Sequence, residues 1–114
     1  MSNTVVLTLP ADDQALRDKV IAELQPYAEV HETPSAFGLN EIKLVIEIIG
    51  GSVGILANAA AITKFILDLK DRREQRREKG RVELARLGEP GVALAEAKAE
   101  DVRRIILLDD IRKE

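Results

Sequence analysis

Hydrophobic residues in this chain change their spacing several times, and each change marks an element. Residues 4–9 (TVVLTL) form a β-branched apolar run closed by Pro10, which predicts a strand buried in a sheet. Leu16, Val20 and Leu24 then recur at four-residue spacing with Ile21 beside them, the stripe of an amphipathic helix. Asp12 or Asp13 supplies its N-cap, because a short carboxylate accepts the first free backbone N–H groups. Pro26 stops the helix, having no N–H to donate. Residues 27–33 alternate, with Ala28 and Val30 against Glu29, His31 and Glu32, and predict a half-exposed strand ending at Pro34.

A loop over 35–39 leads to Asn40, a second capping residue, with Glu41 placed where a negative charge suits a helix dipole. Residues 41–79 follow, and we read them mostly as one long helix kinked at Gly50-Gly51. Each glycine inside a helix costs about 1 kcal/mol relative to alanine, and a pair invites a bend. The competing reading makes 44–49 a strand, Gly50-Gly51 a turn and 53–79 the helix. Gly80 closes the helix as a C-terminal cap. Residues 81–87 alternate again, Gly88-Glu89-Pro90-Gly91 is a turn, and 92–96 returns as the second half of a hairpin. Residues 99–112 end the chain as a helix with Val102, Ile105, Ile106, Leu108 and Ile111 on a broad face. The expected fold is α+β and a single domain over 1–114. It has the order β-α-β-α-β-β-α, with a sheet of about four strands packed on a long apolar central helix.

The middle of that central helix carries the sharpest signal. Residues 48–63 (IIGGSVGILANAAAIT) hold no charge, so a helix there is apolar on every side and must be covered by core, by another copy or by lipid. A membrane span needs about 20 apolar residues, which this window does not reach. On a continuous helix Gly50, Gly54, Asn58 and Ala61 share one face, with Ala57 beside them, and small residues at that spacing admit a second helix. The plain alternative is that this face packs inside the same chain.

Composition narrows the chemistry. There is no cysteine and one histidine, His31, so a zinc–thiolate site, a thiol nucleophile and a multi-histidine metal centre are excluded. Aromatics make up 3% of the chain, too few for base-stacking platforms, and the net charge of -3 exerts no pull on nucleic acid. The charge is uneven, however. Residues 1–41 carry seven acids and two bases, whereas 70–81 (KDRREQRREKGR) carry seven bases and three acids. Arg72 and Arg76 stack as one helical column and Arg73 and Arg77 as its neighbour. This is either a solvated helix end laced with i,i+4 ion pairs or an arginine face for an acidic partner. The basic segment could also dock on an anionic membrane surface.

Gly50-Gly51-Ser52-Val53-Gly54 matches G-x-S-x-G, but a serine hydrolase also needs a histidine base and an acid. In that fold the histidine follows the serine, and here His31 precedes it. The same glycines lack the Lys-Ser/Thr ending of a phosphate loop. His31 reads as a surface residue with Glu29 on its side of the strand. No catalytic residue, cofactor or metal is assigned. The N-terminal residues lack a basic start and a long apolar run, so the expected address is the cytoplasm.

The layout resembles a family. Its strand and Asp-led helix are VVLTLPADDQALRDKVIAEL, and the strand and proline-bearing loop are AEVHETPSAFG. The Gly/Ala-rich helix ending in Lys/Arg is IIGGSVGILANAAAITKFILDLKDRR, and the hairpin and closing helix are RVELARLGEPGVALAEAKAEDVRRII. Together these resemble the effector-associated constant component proteins (first type) of bacterial conflict and immune gene clusters. The resemblance covers most of the chain and is one of pattern. It implies a non-enzymatic constant subunit encoded beside variable effectors such as caspase-like or trypsin-like proteases. Such a subunit would recruit, restrain or assemble the effector once infection is sensed. The expected function is that of an adaptor that also self-associates, and its expected contact surfaces are the small-residue face (Gly50, Gly54, Asn58 and Ala61) and the arginine columns (Arg72, Arg73, Arg76 and Arg77). The alternative is a small effector whose central helix, residues 44–67, perturbs a membrane on activation.

Overall fold

The computed structural model describes residues 4–33, 41–50, 54–76 and 80–107. Its elements are β1 (Thr4–Pro10), α1 (Gln14–Leu24), β2 (Ala28–Thr33), β3 (Glu41–Ile48), α2 (Gly54–Arg76), β4 (Glu83–Arg86), β5 (Val92–Ala93) and α3 (Ala99–Leu107). The strands form one antiparallel sheet in the order β2-β3-β1-β4-β5. β1 and β2 are both antiparallel to β3 and hence parallel to each other, as β3 and β4 are through β1. Each pair is joined by a helix and split by an intervening strand. This is the double split-βαβ, ferredoxin-like plan, with β5 and α3 appended.

The fold class is α+β, with five strands where about four were expected. The extra strand corrects the expectation of a helix starting at residue 41. β3 alternates strictly: Ile42, Leu44, Ile46 and Ile48 are buried, while Lys43 and Glu47 are exposed. The long apolar central helix dissolves with that correction, because its uncharged window joined the end of a strand to the first turns of a helix. α2 itself is amphipathic. Ala59, Ile62, Thr63, Ile66 and Leu69 are buried, and Ala57, Ala60, Lys64, Asp68 and Asp71 face outward. Buried Thr63 donates its hydroxyl to the Ala59 carbonyl at 2.8 Å, the local bond that lets a hydroxyl sit inside a helix core. No helix among the described residues is long and apolar enough to cross a membrane.

The other expected elements stand, with ends that differ by a residue or more from those expected. α1 is capped by Asp13, whose carboxylate accepts from the Leu16 N–H at 3.1 Å, and it buries Leu16, Val20 and Leu24. The second half of the hairpin is shorter than expected, Val92–Ala93, and Gly88 turns the hairpin at φ +86. α3 buries Val102 and Ile106, and the Asp101 carboxylate reaches back to the Lys98 N–H at 2.9 Å, half of a capping box. The loop over 35–39, the Asn40 cap, Ser52, Arg77 and the last expected turn of α3 lie outside the described residues.

All three helices pack on one face of the sheet. Val5, Leu7, Leu9, Leu44 and Ile46 are fully buried there in one cluster with residues of α1, α2 and α3. The two long helices are not alike: α1 has 11 residues and α2 has 23, lengths of about 16 and 35 Å at 1.5 Å per residue. α2 packs along α3, whereas α1 sits beside β2. A groove is left between α1 and α2.

Candidate functional site

That groove has a volume of about 230 Å³. α1 contributes Lys19 and Glu23, one turn apart, and Tyr27 follows the helix end. α2 contributes Ala61, Lys64, Phe65, Asp68, Leu69 and Arg72, spaced three and four apart along one flank. The helices run antiparallel, since each returns against the strand that precedes it and β1 opposes β3. The floor is apolar and partly aromatic: Tyr27 and Phe65 are both half-buried against the core. The rims are charged, and none of Lys19, Glu23, Lys64, Asp68 and Arg72 makes an ion pair with another described residue.

The groove brings together one residue from each surface expected from sequence, Ala61 and Arg72. It also corrects both surfaces. Gly50 does not share a helix face with Gly54, Asn58 and Ala61. It lies in the turn between β3 and α2 at φ +125, a conformation that favours glycine. A β-carbon there would stand 2.8 Å from the Ile55 nitrogen. Gly54 opens α2 and faces open space. Asn58 is half-buried because its amide donates to the Ile49 carbonyl at 2.6 Å, which fastens the first turns of α2 to the end of β3.

The arginines separate in the same way. Arg72 and Arg76 are exposed, as a column on a helix surface requires. Arg73 points elsewhere. Its side chain is 10% exposed, donates Nη2–H to the Gly80 carbonyl at 3.0 Å and lies 4.0 Å from an Asp13 oxygen. It ties the end of α2 to the returning chain and to the cap of α1, so it is not available as an open contact. Lys70 and Glu74 form an i,i+4 ion pair, part of the laced helix end expected from sequence.

Lys19, Tyr27 and Phe65 were not singled out from sequence. One signal was present: Tyr27 and Phe65 are two of only three aromatic residues in the chain. His31 is exposed and sits 3.8 Å from a Glu29 oxygen, on the side of the strand that alternation assigned. No three side chains of metal-ligating type cluster among the described residues. Arg17, on the flank of α1, donates to Glu32 and Asp18, and these hydrogen bonds hold its guanidinium pKa above the ordinary value.

No protein-family model, curated protein or solved structure matches the chain.

Proposed function

We propose that this protein is a non-enzymatic adaptor or assembly subunit of a bacterial antiviral defence system. It binds and regulates an effector encoded nearby, for example a caspase-like or trypsin-like protease, in the cytoplasm, and it self-associates. The pattern resemblance to the effector-associated constant components supports the class of partner. The observation that carries a binding role is the α1–α2 groove. Its apolar, partly aromatic floor can seat an anchor side chain, and its rim charges, which make no ion pair among the described residues, can select the chain around that anchor. Lys19 and Arg72 give the groove cations that suit an acidic segment.

The membrane-active alternative needed a helix over 44–67. Residues 44–48 belong to β3, so that helix is not present in this structure, and no observation favours this reading over the adaptor.

Co-expression with the effector encoded beside it tests the proposal. The wild-type protein should co-purify with the effector. Ala61→Arg, which fills the groove, and Arg72→Glu, which reverses a rim charge, should each weaken the complex about tenfold or more without lowering the melting temperature. Equal capture by all three proteins would contradict the assignment of the groove.

A further inference from the structure

The sheet has a second face, which no described helix covers. The register lays its side chains out in rows across β2, β3, β1 and β4, the middle row being His31, Val45, Val6 and Ala85. The next row towards the start of β1 is Glu29, Glu47, Thr4 and Leu87, the last placed by its N–H bond to the Thr4 carbonyl. Towards the other end of the sheet lie Lys43, Glu41 and Glu83, and Arg81 pairs with Glu83 at 3.3 Å. Acids and bases balance at that end, as they do at the rim, where Arg86 and Glu89 stand 3.7 Å apart. The net acidity of the face therefore sits in the row of Glu29 and Glu47. These two are exposed and directly opposite each other, and the nearest basic group among the described residues is His31, 3.8 Å from Glu29. Like charges directly opposite destabilise a strand pair, and a cation laid over both relieves the repulsion.

The basic excess of the chain lies at the opposite end of the molecule. Arg73 fastens α2 to the Gly80 carbonyl, and a β-carbon on Gly80 would stand 2.6 Å from the Pro10 ring. The fastening is thus level with the end of β1, about 20 Å from Thr4. α2 opposes β3 and so runs the same way as β1, which carries Arg76 about 4.5 Å further on. Arg76 is exposed and makes no ion pair with another described residue. It belongs to the segment 70–81, with seven bases against three acids.

We infer that copies of the chain associate head to tail, the Arg76 end of α2 in one copy docking on the Glu29–Glu47 end of the open sheet face in the next. Charge complementarity names the occupant. Directly opposite residues of antiparallel strands have Cα atoms about 5 Å apart, so the donor fork of one guanidinium can serve both carboxylates. Leu87, 54% exposed in the same row, is then covered by the aliphatic stem of the incoming side chains. The contact joins two different patches, so every copy keeps one of each free and the assembly grows as an open chain instead of closing as a pair. Exposed ion pairs are weak and screened, so the association is weak and falls with salt. This inference deepens the self-association within the proposed function, on which it rests, and leaves effector binding to the groove on the opposite face of the sheet.

Sedimentation equilibrium of the purified chain, from micromolar to millimolar concentration and at low and high salt, tests it. The average mass of wild type should rise past that of a dimer at low salt and fall back as salt is added. Arg76→Glu should weaken association about tenfold, and so should Glu29→Gln combined with Glu47→Gln. Arg72 lines the groove as well and is left unchanged. Circular dichroism should show both variants folded. A mixture of the two variants should associate again, because the intact helix end of one meets the intact sheet end of the other. A chain that stays monomeric at low salt, a mass that levels off at the dimer, association indifferent to both variants, or a mixture that fails to recover would each overturn the proposal. A monomer that still binds the effector would sink the assembly alone, whereas an assembling chain that ignores the effector would sink the adaptor reading alone.

Discussion

Gly50 shows how one residue can decide the course of a chain. At φ +125, with a β-carbon's place already crowded by the backbone of Gly54 and Ile55, it has no substitute at this turn. Gly50→Ala should destabilise the protein by more than about 1 kcal/mol, as alanine does where the native φ is positive. Urea denaturation checks this, and an unchanged midpoint would contradict the turn geometry. Gly54 makes the contrast. It faces open space, so Gly54→Ala should leave the midpoint within about 0.5 kcal/mol of wild type. Asn58 belongs to the same joint. Asn58→Ala removes the donor to the Ile49 carbonyl and should cost about 1 kcal/mol in the same assay. Asp13→Ala, which uncaps α1, should cost a similar ~1 kcal/mol.

At the scale of elements, most of the chain was legible because its spacings admit one reading. Leu16, Val20 and Leu24 read as a helix because Ile21 beside Val20 breaks strand alternation and Asp13 supplies the cap, and the β-branched run of β1 ends at the proline that bounds it. β3 was misread for a physical reason. Ile42 with Ile46, and Leu44 with Ile48, are four apart, and a spacing of four lies on one face of a strand and on one stripe of a helix alike. Glu41 after Asn40 added the look of a capped start. The paired glycines held the deciding information, as a turn with positive φ, but a kinked helix uses the same letters. The candidate site inherited that error. Joining β3 to α2 put Gly50 on a helix face that does not exist, whereas Gly54, Asn58 and Ala61 do lie within α2, and of the expected residues Ala61 and Arg72 line the groove. Arg73 could not be told from Arg72 by spacing alone. Its burial depends on where the chain returns after α2, and only the tertiary arrangement shows that. Arg73→Ala should therefore lower stability, by about 1–3 kcal/mol for the loss of a partly buried charged hydrogen bond. Arg76→Ala, on the exposed flank, should stay within about 0.5 kcal/mol.

The whole molecule is a one-sided sandwich. Three helices cover one face of a five-stranded sheet and leave two surfaces with distinct chemistry, a charged-rim groove above the core and a mixed apolar and charged face below it. The core that separates them is continuous. Leu7→Ala or Ile46→Ala should each cost about 2–5 kcal/mol, because both side chains are wholly buried in the cluster that joins strands to helices. A loss of that size should appear as one cooperative transition, and two resolved transitions would contradict a single core. The open topology also explains why function was less legible than fold. Core positions announce themselves by periodicity, but a groove is assembled from Lys19, Tyr27, Phe65 and Arg72, which are far apart in sequence and meet only when α1 and α2 are laid on the sheet.

The central claim, that the groove is where a partner binds, is tested most directly by mapping amide chemical shifts of the isotope-labelled protein during titration with the effector encoded beside it. The account predicts saturable shifts at Lys19, Tyr27, Ala61, Phe65 and Arg72, with β3 residues Lys43 and Glu47 unmoved at dilutions where the chain is monomeric. Shifts confined to the sheet face, or none at any effector concentration, would contradict it.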